Sequence, residues 1–312
     1  MTAAKAIPIV VNGSGGTAAA RGAKLRDELA AAFAEAGLRA DLRIVAGADV
    51  TDAVKAVADA PLVVVGGGDG TLGSAAAVLA GTDTVLGILP LGTRNHLAAD
   101  LGIADLGGAV GAIADGHVRR IDIARVNDRV FVNNASVGLY PAMVRAREIG
   151  QHRHALPKWA AALPAGIAAL RRMRHHRLRL TIGHADGASG DADGPVVTPL
   201  LFVGNNRYDL DRGSVGSRAA LDDGKLSVYA VASRRRLALV GFALRALIGA
   251  ADPARDFAAI GEPASLTVEG RSRSVAIALD GEVMRLAMPL RFAVDPGALA
   301  VVVPREGRTA AG

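Results

Sequence analysis

Short apolar runs alternate with helix-like segments along the first 125 residues. The apolar runs, each typical of a buried strand, are Ala6–Val11, Leu38–Val45, Pro61–Val65 and Thr84–Pro90. The segments between and after them carry apolar residues at helical spacing: Ala18–Ala36, Thr51–Ala60, Leu72–Ala80, Asn95–Asp100 and Leu106–Ala114. This alternation predicts an α/β domain, a parallel sheet with helices on both faces.

The pattern changes near Arg125, after which most segments alternate like strands. These are Arg177–Gly183, Thr198–Asn205, Lys225–Val231, Ser265–Gly270, Ser274–Glu282 and Leu290–Pro304. Only the stretch after Pro141 and Arg234–Ala251 have helical patterns. We therefore predict two domains: residues 1–125, with the tail at about 295–312 as a candidate to complete them, and residues 126–294, a mostly antiparallel, β-sandwich-like domain.

Composition narrows the class of partner. The 312 residues include no cysteine, which excludes disulfides and thiolate metal sites and fits a reducing cytoplasm. Leu237–Ala251, the best apolar stretch, is too short to span a bilayer and contains Arg245. The net charge of +6 favours an anionic partner: nucleic acid, nucleotide or an acidic membrane surface. The basic segment 145–179 is either a solvated helix or a membrane-surface element.

The stretch VVVGGGDGT, residues 63–71, places glycines and one carboxylate after a predicted strand. At the carboxyl end of a parallel strand, glycines let backbone N–H groups approach a phosphate, although a tight turn without a ligand is the alternative. No Walker loop is present, and the two G-x-G-x-x-G/A matches are weak; the strand after the second one, VLGILP, ends without the acidic residue that a dinucleotide ribose needs. Asp69 beside phosphates is unfavourable unless a cation lies between them, which favours Mg²⁺-nucleotide.

Five motifs follow one another along the chain: VNGSGG, GGDGT, LPLGTRNHLA, DDGKLSV and LDGE. Together they resemble the diacylglycerol kinase catalytic-domain family, which includes sphingosine and ceramide kinases and bacterial lipid kinases. The matches extend from Val11 to Glu282, nearly the whole chain. The GGDGT motif alone is also found in NAD kinases, so an NAD kinase-like enzyme remains an alternative.

The resemblance implies an ATP- and Mg²⁺-dependent lipid kinase with its active site in the cleft between the domains. The γ-phosphate of ATP would pass to a diacylglycerol-like or sphingoid-like hydroxyl at a membrane surface. The implied nucleotide-site residues are Asn12, Ser14, Gly15, Gly16, Gly66, Gly67, Gly68, Asp69, Gly70, Thr71, Thr93, Asn95 and Asp122.

The resemblance also implies two further groups of residues. Asp280 and Glu282 match the region of the catalytic base, and Asp69 would act through the metal or its waters. A structural Mg²⁺ would be held by the Asp223 side chain and by the carbonyls of Ala220 and Lys225. From the residues alone, LDGE and DDGKL are also ordinary turn sequences, and Asp122 could simply cap a turn.

Two positions depart from the family pattern: Gly13 replaces a proline, and a second departure bears on metal binding. His96 stands where the family has an aspartate, so a catalytically weak member that binds lipid or nucleotide is a second alternative. We expect the protein to contact an anionic membrane through segment 145–179 and to bind no nucleic acid. Homodimer formation is left open. The expected location is cytoplasmic with peripheral membrane association.

Overall fold

The computed structural model describes residues 6–22, 24–93, 95–138, 176–184, 189–191, 195–208, 218, 220–231 and 257–305. The first part of the chain forms strands β1 (Ile7–Asn12), β2 (Ala40–Val45), β3 (Leu62–Gly67) and β4 (Val85–Pro90). Its helices are α1 (Gly16–Arg21), α2 (Lys24–Glu35), α3 (Val50–Lys55), α4 (Asp69–Leu79), α5 (His96–Asp100) and α6 (Leu106–Asp115).

These four strands form the predicted parallel sheet, in the order β4-β3-β1-β2. The apolar centres of β1 and β3, Ile9–Val11 and Val63–Val65, are fully buried. Continuous burial of successive side chains, which point to opposite faces, indicates that both faces of the strand are covered. The pattern of apolar runs therefore predicted this part of the fold correctly.

Helix boundaries differ from the prediction in two places. The segment Ala18–Ala36 is two helices, α1 and α2, because Gly22 between them has φ 54° and ψ −134°, a conformation that favours glycine. Helix α4 begins at Asp69 instead of Leu72, so its first turn contains the GGDGT aspartate. The carboxylate thus lies at the helix N-terminus, where a negative charge is favourable.

From residue 118 onward, all the regular elements in the described residues are strands. The elements are β5 (Val118–Val126), β6 (Arg129–Phe131), β7 (Asn134–Gly138), β8 (His176–Gly183), β9 (Ser189–Asp191), β10 (Val196–Thr198), β11 (Leu200–Asn205), β12 (Leu226–Val231), β13 (Phe257–Gly261), β14 (Ser265–Glu269), β15 (Ser274–Leu279), β16 (Glu282–Ala287) and β17 (Leu290–Val302).

A six-stranded antiparallel sheet has the order β13-β12-β11-β7-β15-β16. Its apolar face, with Val203 and Ile277, packs in one core with Leu180 of β8 and Phe292 of β17, which belong to the other sheet. Two sheets that enclose a shared core form a sandwich. The predicted antiparallel second region is therefore confirmed.

Strand β17 joins the two halves of the molecule. Its first residues pair antiparallel with β14, whereas Val301 near its end pairs parallel with Leu86 of β4. Strand β5 runs beside it along both parts, with a register shift between Asp295 and Leu299. One eleven-stranded sheet consequently continues from β2 to β10 and crosses the predicted domain boundary near Arg125.

Two predicted helical segments cannot be compared with the structure. Most of the basic segment 145–179, all but its last four residues, and the segment Arg234–Ala251 lie outside the described residues. Within the described ranges, no helix combines the length and the apolar character that crossing a membrane requires.

The contribution of β17 to the first core can be tested by truncating a buried side chain. Leu299 is fully buried in that core, and we expect Leu299→Ala to lower the free energy of unfolding by about 2–5 kcal/mol. Arg291→Ala, an exposed change on the same strand, should alter it by less than about 0.5 kcal/mol. Urea unfolding measures both, and equal effects would show that the end of β17 adds little to the core.

Candidate active site

Asn12, the last residue of β1, connects this strand to the first turn of α4. Its Nδ2 donates to Thr71 Oγ1 at 2.9 Å, and its Oδ1 accepts from Ser14 N–H at 2.9 Å. Ser14 Oγ in turn accepts from Gly47 N–H at 3.2 Å, and exposed Gly15 precedes α1, which begins at Gly16. The structure thus places VNGSGG beside GGDGT at the carboxyl edge of the parallel sheet.

The GGDGT stretch forms the turn from β3 into α4. Gly66 and Gly67 are the last residues of the strand, and Gly68 is the N-cap of the helix. A Cβ on Gly67 would lie 2.5 Å from Thr71 Cβ, so this turn needs glycine for packing reasons alone. Gly68 has no side chain, so the N-cap residue itself accepts no hydrogen bond from the N–H groups of the first turn of α4.

Asp69 accepts hydrogen bonds from three groups. Its Oδ2 accepts from His96 N–H at 3.2 Å, and its Oδ1 accepts from Leu97 N–H at 3.1 Å and from Asn133 Nδ2 at 3.3 Å. The carboxylate therefore caps the start of α5 from a different part of the chain. Only the backbone of His96 makes this contact, so the hydrogen bond does not depend on the side chain at position 96.

The loop between β4 and α5 is held by Asn95, which has φ 52°. Its Oδ1 accepts from Gly92 N–H at 2.8 Å, and its Nδ2 donates to the Pro90 and Gly92 carbonyls at 3.3 and 3.2 Å. Asn95 thus has a local structural role that the family resemblance did not assign to it. Thr93 in the same loop is exposed.

LDGE forms the tight turn between β15 and β16. Leu279 pairs with Glu282, and the two central residues, Asp280 and Gly281, have φ values of 47° and 92°. Positive φ at both positions is the signature of a type I′ turn, which matches the alternative interpretation of this sequence as a hairpin turn. The Asp280 and Glu282 carboxylates of this turn lie in different surroundings.

Asp280 is held by the segment that links β6 to β7. Its Oδ2 accepts from Val132 N–H at 2.8 Å, and its Oδ1 accepts from Asn133 and Asn134 N–H at 2.8 and 3.0 Å. Burial raises the pKa of Asp280 to about 6, although these three donors and Arg218 each act to lower it. Both oxygens are thus occupied by backbone donors, which favours a structural role.

Glu282, two residues on, is exposed, and its carboxylate makes no hydrogen bond or ion pair with the described residues. It nevertheless lies next to GGDGT, because a Cβ on Gly70 would be 2.8 Å from Glu282 Oε1. One turn further along α4, a Cβ on Gly73 would be 3.2 Å from Asp280 Oδ2. The glycine face of α4 therefore receives the hairpin turn, and of the two LDGE carboxylates Glu282 is the one without a partner.

Asp122, which the resemblance assigned to the nucleotide site, has a buried carboxylate that binds backbone N–H groups. It is only 2% exposed, and its carboxylate accepts from Gly224 N–H at 2.7 Å and from Gly297 N–H at 2.8 Å. Asp122 and Asp69 share no hydrogen bond or ion pair. In this structure Asp122 caps two glycine turns, one of which is the DDGKL turn, as the alternative interpretation expected.

The residues of the DDGKL turn include the oxygen ligands that Mg²⁺ prefers. Asp223 is exposed, and its backbone N–H donates to Asn206 Oδ1 at 3.1 Å. The Lys225 carbonyl accepts from Asn206 N–H at 2.9 Å and keeps a second lone pair, and Ala220 precedes the turn. One carboxylate and two carbonyls are ligand types that Mg²⁺ accepts when water completes its coordination.

The surroundings of Asp69 suit a metal ion that binds together with the nucleotide phosphates. No three His, Cys, Asp or Glu side chains cluster as a potential metal site within the described residues. Asp69 Oδ1 accepts two hydrogen bonds and Oδ2 accepts one, so Oδ2 retains a free lone pair. Mg²⁺ is commonly held by one or two carboxylates, substrate phosphates and water, and Asp69 satisfies the protein's part of that arrangement.

Four buried residues near Asp69 were not predicted from the sequence. Arg218 donates to Asp100 Oδ2 at 2.8 Å, to Asn133 Oδ1 at 3.0 Å and to the Val132 carbonyl at 2.6 Å. Burial raises the pKa of Tyr208 to about 12, so its hydroxyl stays protonated and donates to the Asn133 carbonyl at 3.1 Å. The consecutive asparagines after a buried strand, in VFVNNAS, were the available signal.

Comparison with known proteins agrees with the motifs. Residues 6–126 match the family model of the diacylglycerol kinase catalytic domain. A Pseudomonas aeruginosa protein named "Probable lipid kinase YegS-like" is 31% identical over 78% of this chain and 76% of its own. A diacylglycerol kinase of Mycobacterium tuberculosis is 27% identical over 86% of each chain. A crystal structure of a diacylglycerol kinase from Bacillus anthracis, 22% identical, shares the fold over 96% of each chain with a TM-score of 0.61.

The raised pKa of Asp280 predicts a pH-dependent stability. Its pKa is about 6 in the folded protein and 3.8 ordinarily, so the folded state binds more protons between these values. The free energy of unfolding should therefore fall as pH rises from about 4 to 6, by at most about 3 kcal/mol, and this contribution should be constant above that range.

Urea unfolding of the wild type and of Asp280→Asn at several pH values isolates the contribution of this carboxyl group. The difference between the two proteins should change across that window. Asp83→Asn, at an exposed aspartate, serves as the control and should give a constant difference. A constant difference for Asp280→Asn as well would refute the raised pKa.

Proposed function

Because the chain belongs to the diacylglycerol kinase catalytic-domain family, we propose that it is an ATP- and Mg²⁺-dependent lipid kinase. The γ-phosphate would pass to the hydroxyl of a diacylglycerol-like or sphingoid-like lipid. The observation that carries the proposal is the position of Glu282, an unpaired carboxylate next to the first turn of α4. A phosphate site and a proton acceptor are the two parts that alcohol phosphorylation requires.

The first turn of α4 supports binding of the phosphates. Its N-cap residue, Gly68, has no side chain to occupy the N–H groups, and the positive end of the helix dipole favours an anion there. Asn12 joins this turn to the end of β1, so that both glycine-rich loops present backbone to the same edge of the sheet. We assign the nucleotide phosphates to this edge.

Glu282 supports the acceptor side of the reaction. In the proposed step it takes the proton from the lipid hydroxyl while that oxygen forms a bond to the γ-phosphorus. The bond between the γ-phosphorus and the bridging oxygen breaks, and ADP leaves with the electron pair. Asp280 acts indirectly, by holding the turn that carries Glu282.

A divalent metal bound with the nucleotide would neutralise charge that develops on the phosphates. Asp69 would contribute the protein carboxylate to it. The orientation of that carboxylate is set by the His96 and Leu97 N–H groups and by Asn133. The His96 side chain replaces the family's aspartate, so the catalytically weak family member stays the second candidate.

The net charge of +6 also supports membrane adsorption. We propose a cytoplasmic enzyme that reaches its lipid at an anionic membrane surface, partly through the basic segment 145–179, and that does not bind nucleic acid. Docking through positive charge would place the site where lipid hydroxyls are presented. This adsorption should weaken as salt concentration rises.

A phosphorylation screen with labelled ATP tests the proposal. Mixed micelles would contain diacylglycerol, monoacylglycerol, sphingosine, ceramide or phosphatidylglycerol, and NAD would be tested separately. We expect a labelled lipid product. Labelling of NAD alone would support an NAD kinase-like enzyme, and no transfer despite Mg²⁺-ATP binding would support the weak family member.

Glu282→Gln should lower kcat by at least about 100-fold, because the amide cannot accept the proton. Asp69→Ala should abolish turnover. Glu269→Gln, the same change at another exposed glutamate, should leave kcat unchanged. A near-normal kcat for Glu282→Gln would exclude it as the base, and Asp280 would be the next candidate.

The proposed structural Mg²⁺ makes a separate prediction about stability. Adding MgCl₂ to the metal-free protein should raise the Tm of the wild type, because a ligand that binds only the folded state stabilises it. Asp223→Ala should lose this response. Asp222→Ala should keep it, since Asp222 forms an ion pair with Arg119 at 2.8 Å. Equal Mg²⁺ responses in wild type and Asp223→Ala would argue against this site.

A further inference from the structure

Helix α5 is part of a closed ring of hydrogen bonds that passes through Asp69. Asp69 caps the N-terminus of α5, and Asp100, the last residue of α5, accepts from Arg218 Nε at 2.8 Å. Arg218 Nη2 donates to Asn133 Oδ1 at 3.0 Å, and Asn133 Nδ2 donates to Asp69 Oδ1 at 3.3 Å. We refer to Asp69, α5, Arg218 and Asn133 as the α5 ring.

The Arg218–Asp100 ion pair is almost completely buried. The two side chains are 1% and 5% exposed. Burying two charges requires desolvation that their attraction often only offsets, so stability alone is a weak explanation for this pair. Arg218 Nη1 also donates to the carbonyls of Val132 and Asn205, at 2.6 and 3.3 Å. Each of the three guanidinium nitrogens therefore has an acceptor.

The donor and acceptor groups of the ring fix the direction of its hydrogen bonds. A guanidinium group can only donate hydrogen bonds, and a carboxylate can only accept them. The Asn133 amide lies between the two, so its oxygen must face Arg218 and its NH₂ group must face Asp69. The reversed amide would place NH₂ against the guanidinium and oxygen against the carboxylate. Arg218 therefore determines that Asn133 donates to Asp69.

We propose that Arg218 is a positioning residue for Asp69, acting through Asn133 and, through Asp100, on the helix whose first N–H groups Asp69 caps. The inference rests on the proposed function only where it concerns turnover. With three donors around it, the Asp69 carboxylate is fixed in one orientation relative to the first turn of α4. Loss of the ring should therefore reduce kcat and weaken Mg²⁺-ATP binding, while KM for the lipid is unchanged.

Asn133→Asp is the sharpest test, because it replaces only the NH₂ group that donates to Asp69 with an oxygen that cannot donate. The new carboxylate still accepts from Arg218, so the buried guanidinium keeps its partner, but an oxygen now faces Asp69. Two carboxylates in contact repel each other. We expect kcat to fall by about 10- to 100-fold, the range for losing a hydrogen bond to a charged group.

Asn127→Asp is the matched control. It makes the same chemical change at an asparagine outside the α5 ring, whose side-chain amide donates to the Ala287 carbonyl at 3.2 Å instead of to Asp69. Its kcat should stay within about twofold of the wild type. Arg218→Lys is a second variant. It keeps the positive charge near Asp100 but loses the planar guanidinium group that reaches Asn133, and it should also lower kcat.

A spectroscopic readout separates this inference from the proposed function. The backbone amide protons of His96 and Leu97 donate to Asp69, so their NMR shifts at a constant pH of 7.5 report on its orientation. Both signals should move in Asn133→Asp and Arg218→Lys, and neither should move in Asn127→Asp. This result would support positioning even if the wild type phosphorylated no lipid.

Two outcomes would overturn the inference. One is an Asn133→Asp protein whose amide signals and kcat match the wild type. The other is a loss of thermal stability in Asn133→Asp and Arg218→Lys with kcat and the Mg²⁺-ATP Kd unchanged, which would show that the ring serves only the fold.

Discussion

The carboxylate of Asp280 joins the two sheets of the molecule at one point. It accepts three consecutive backbone N–H groups, those of residues 132–134, from the link between the large sheet and the small one. The carbonyls and side chain of the same link are bound on their other side by Arg218 and Tyr208. A three-residue segment held from both sides leaves the hairpin little freedom, and this determines where Glu282 lies relative to α4.

The glycines of α4 provide the surface against which this hairpin turn packs. A glycine inside a helix costs about 1 kcal/mol relative to alanine, so Gly70 and Gly73 weaken α4 as a helix. Their lack of side chains lets the hairpin turn approach to contact distance, with Glu282 opposite Gly70 and Asp280 opposite Gly73. The glycine pattern that resembles a nucleotide fingerprint thus also has a packing explanation, and the two explanations apply to the same residues.

Prediction from sequence was reliable where the signal is local. The apolar runs identified the parallel strands, and the motif order identified the family, because both depend on short stretches such as residues 63–71. The ring around α5 was not predictable in this way. Asn133 meets Asp69 across 64 positions, and Arg218 meets Asp100 across 118. For Asp122 the sequence left two roles open, a nucleotide-site acid and a turn cap, and the structure shows its carboxylate accepting from the N–H groups of two glycine turns.

The path of β17 has a consequence for how the chain is made. Leu86 in the first parallel sheet pairs with Val301, which is synthesised 215 positions later, and Leu299 and Val301 fill the same core as β1 and β3. During translation, the N-terminal half therefore emerges with one edge of its sheet unpaired and its core incomplete. Such an edge is prone to wrong pairing, so β4 is the strand that most needs protection until the C-terminus leaves the ribosome.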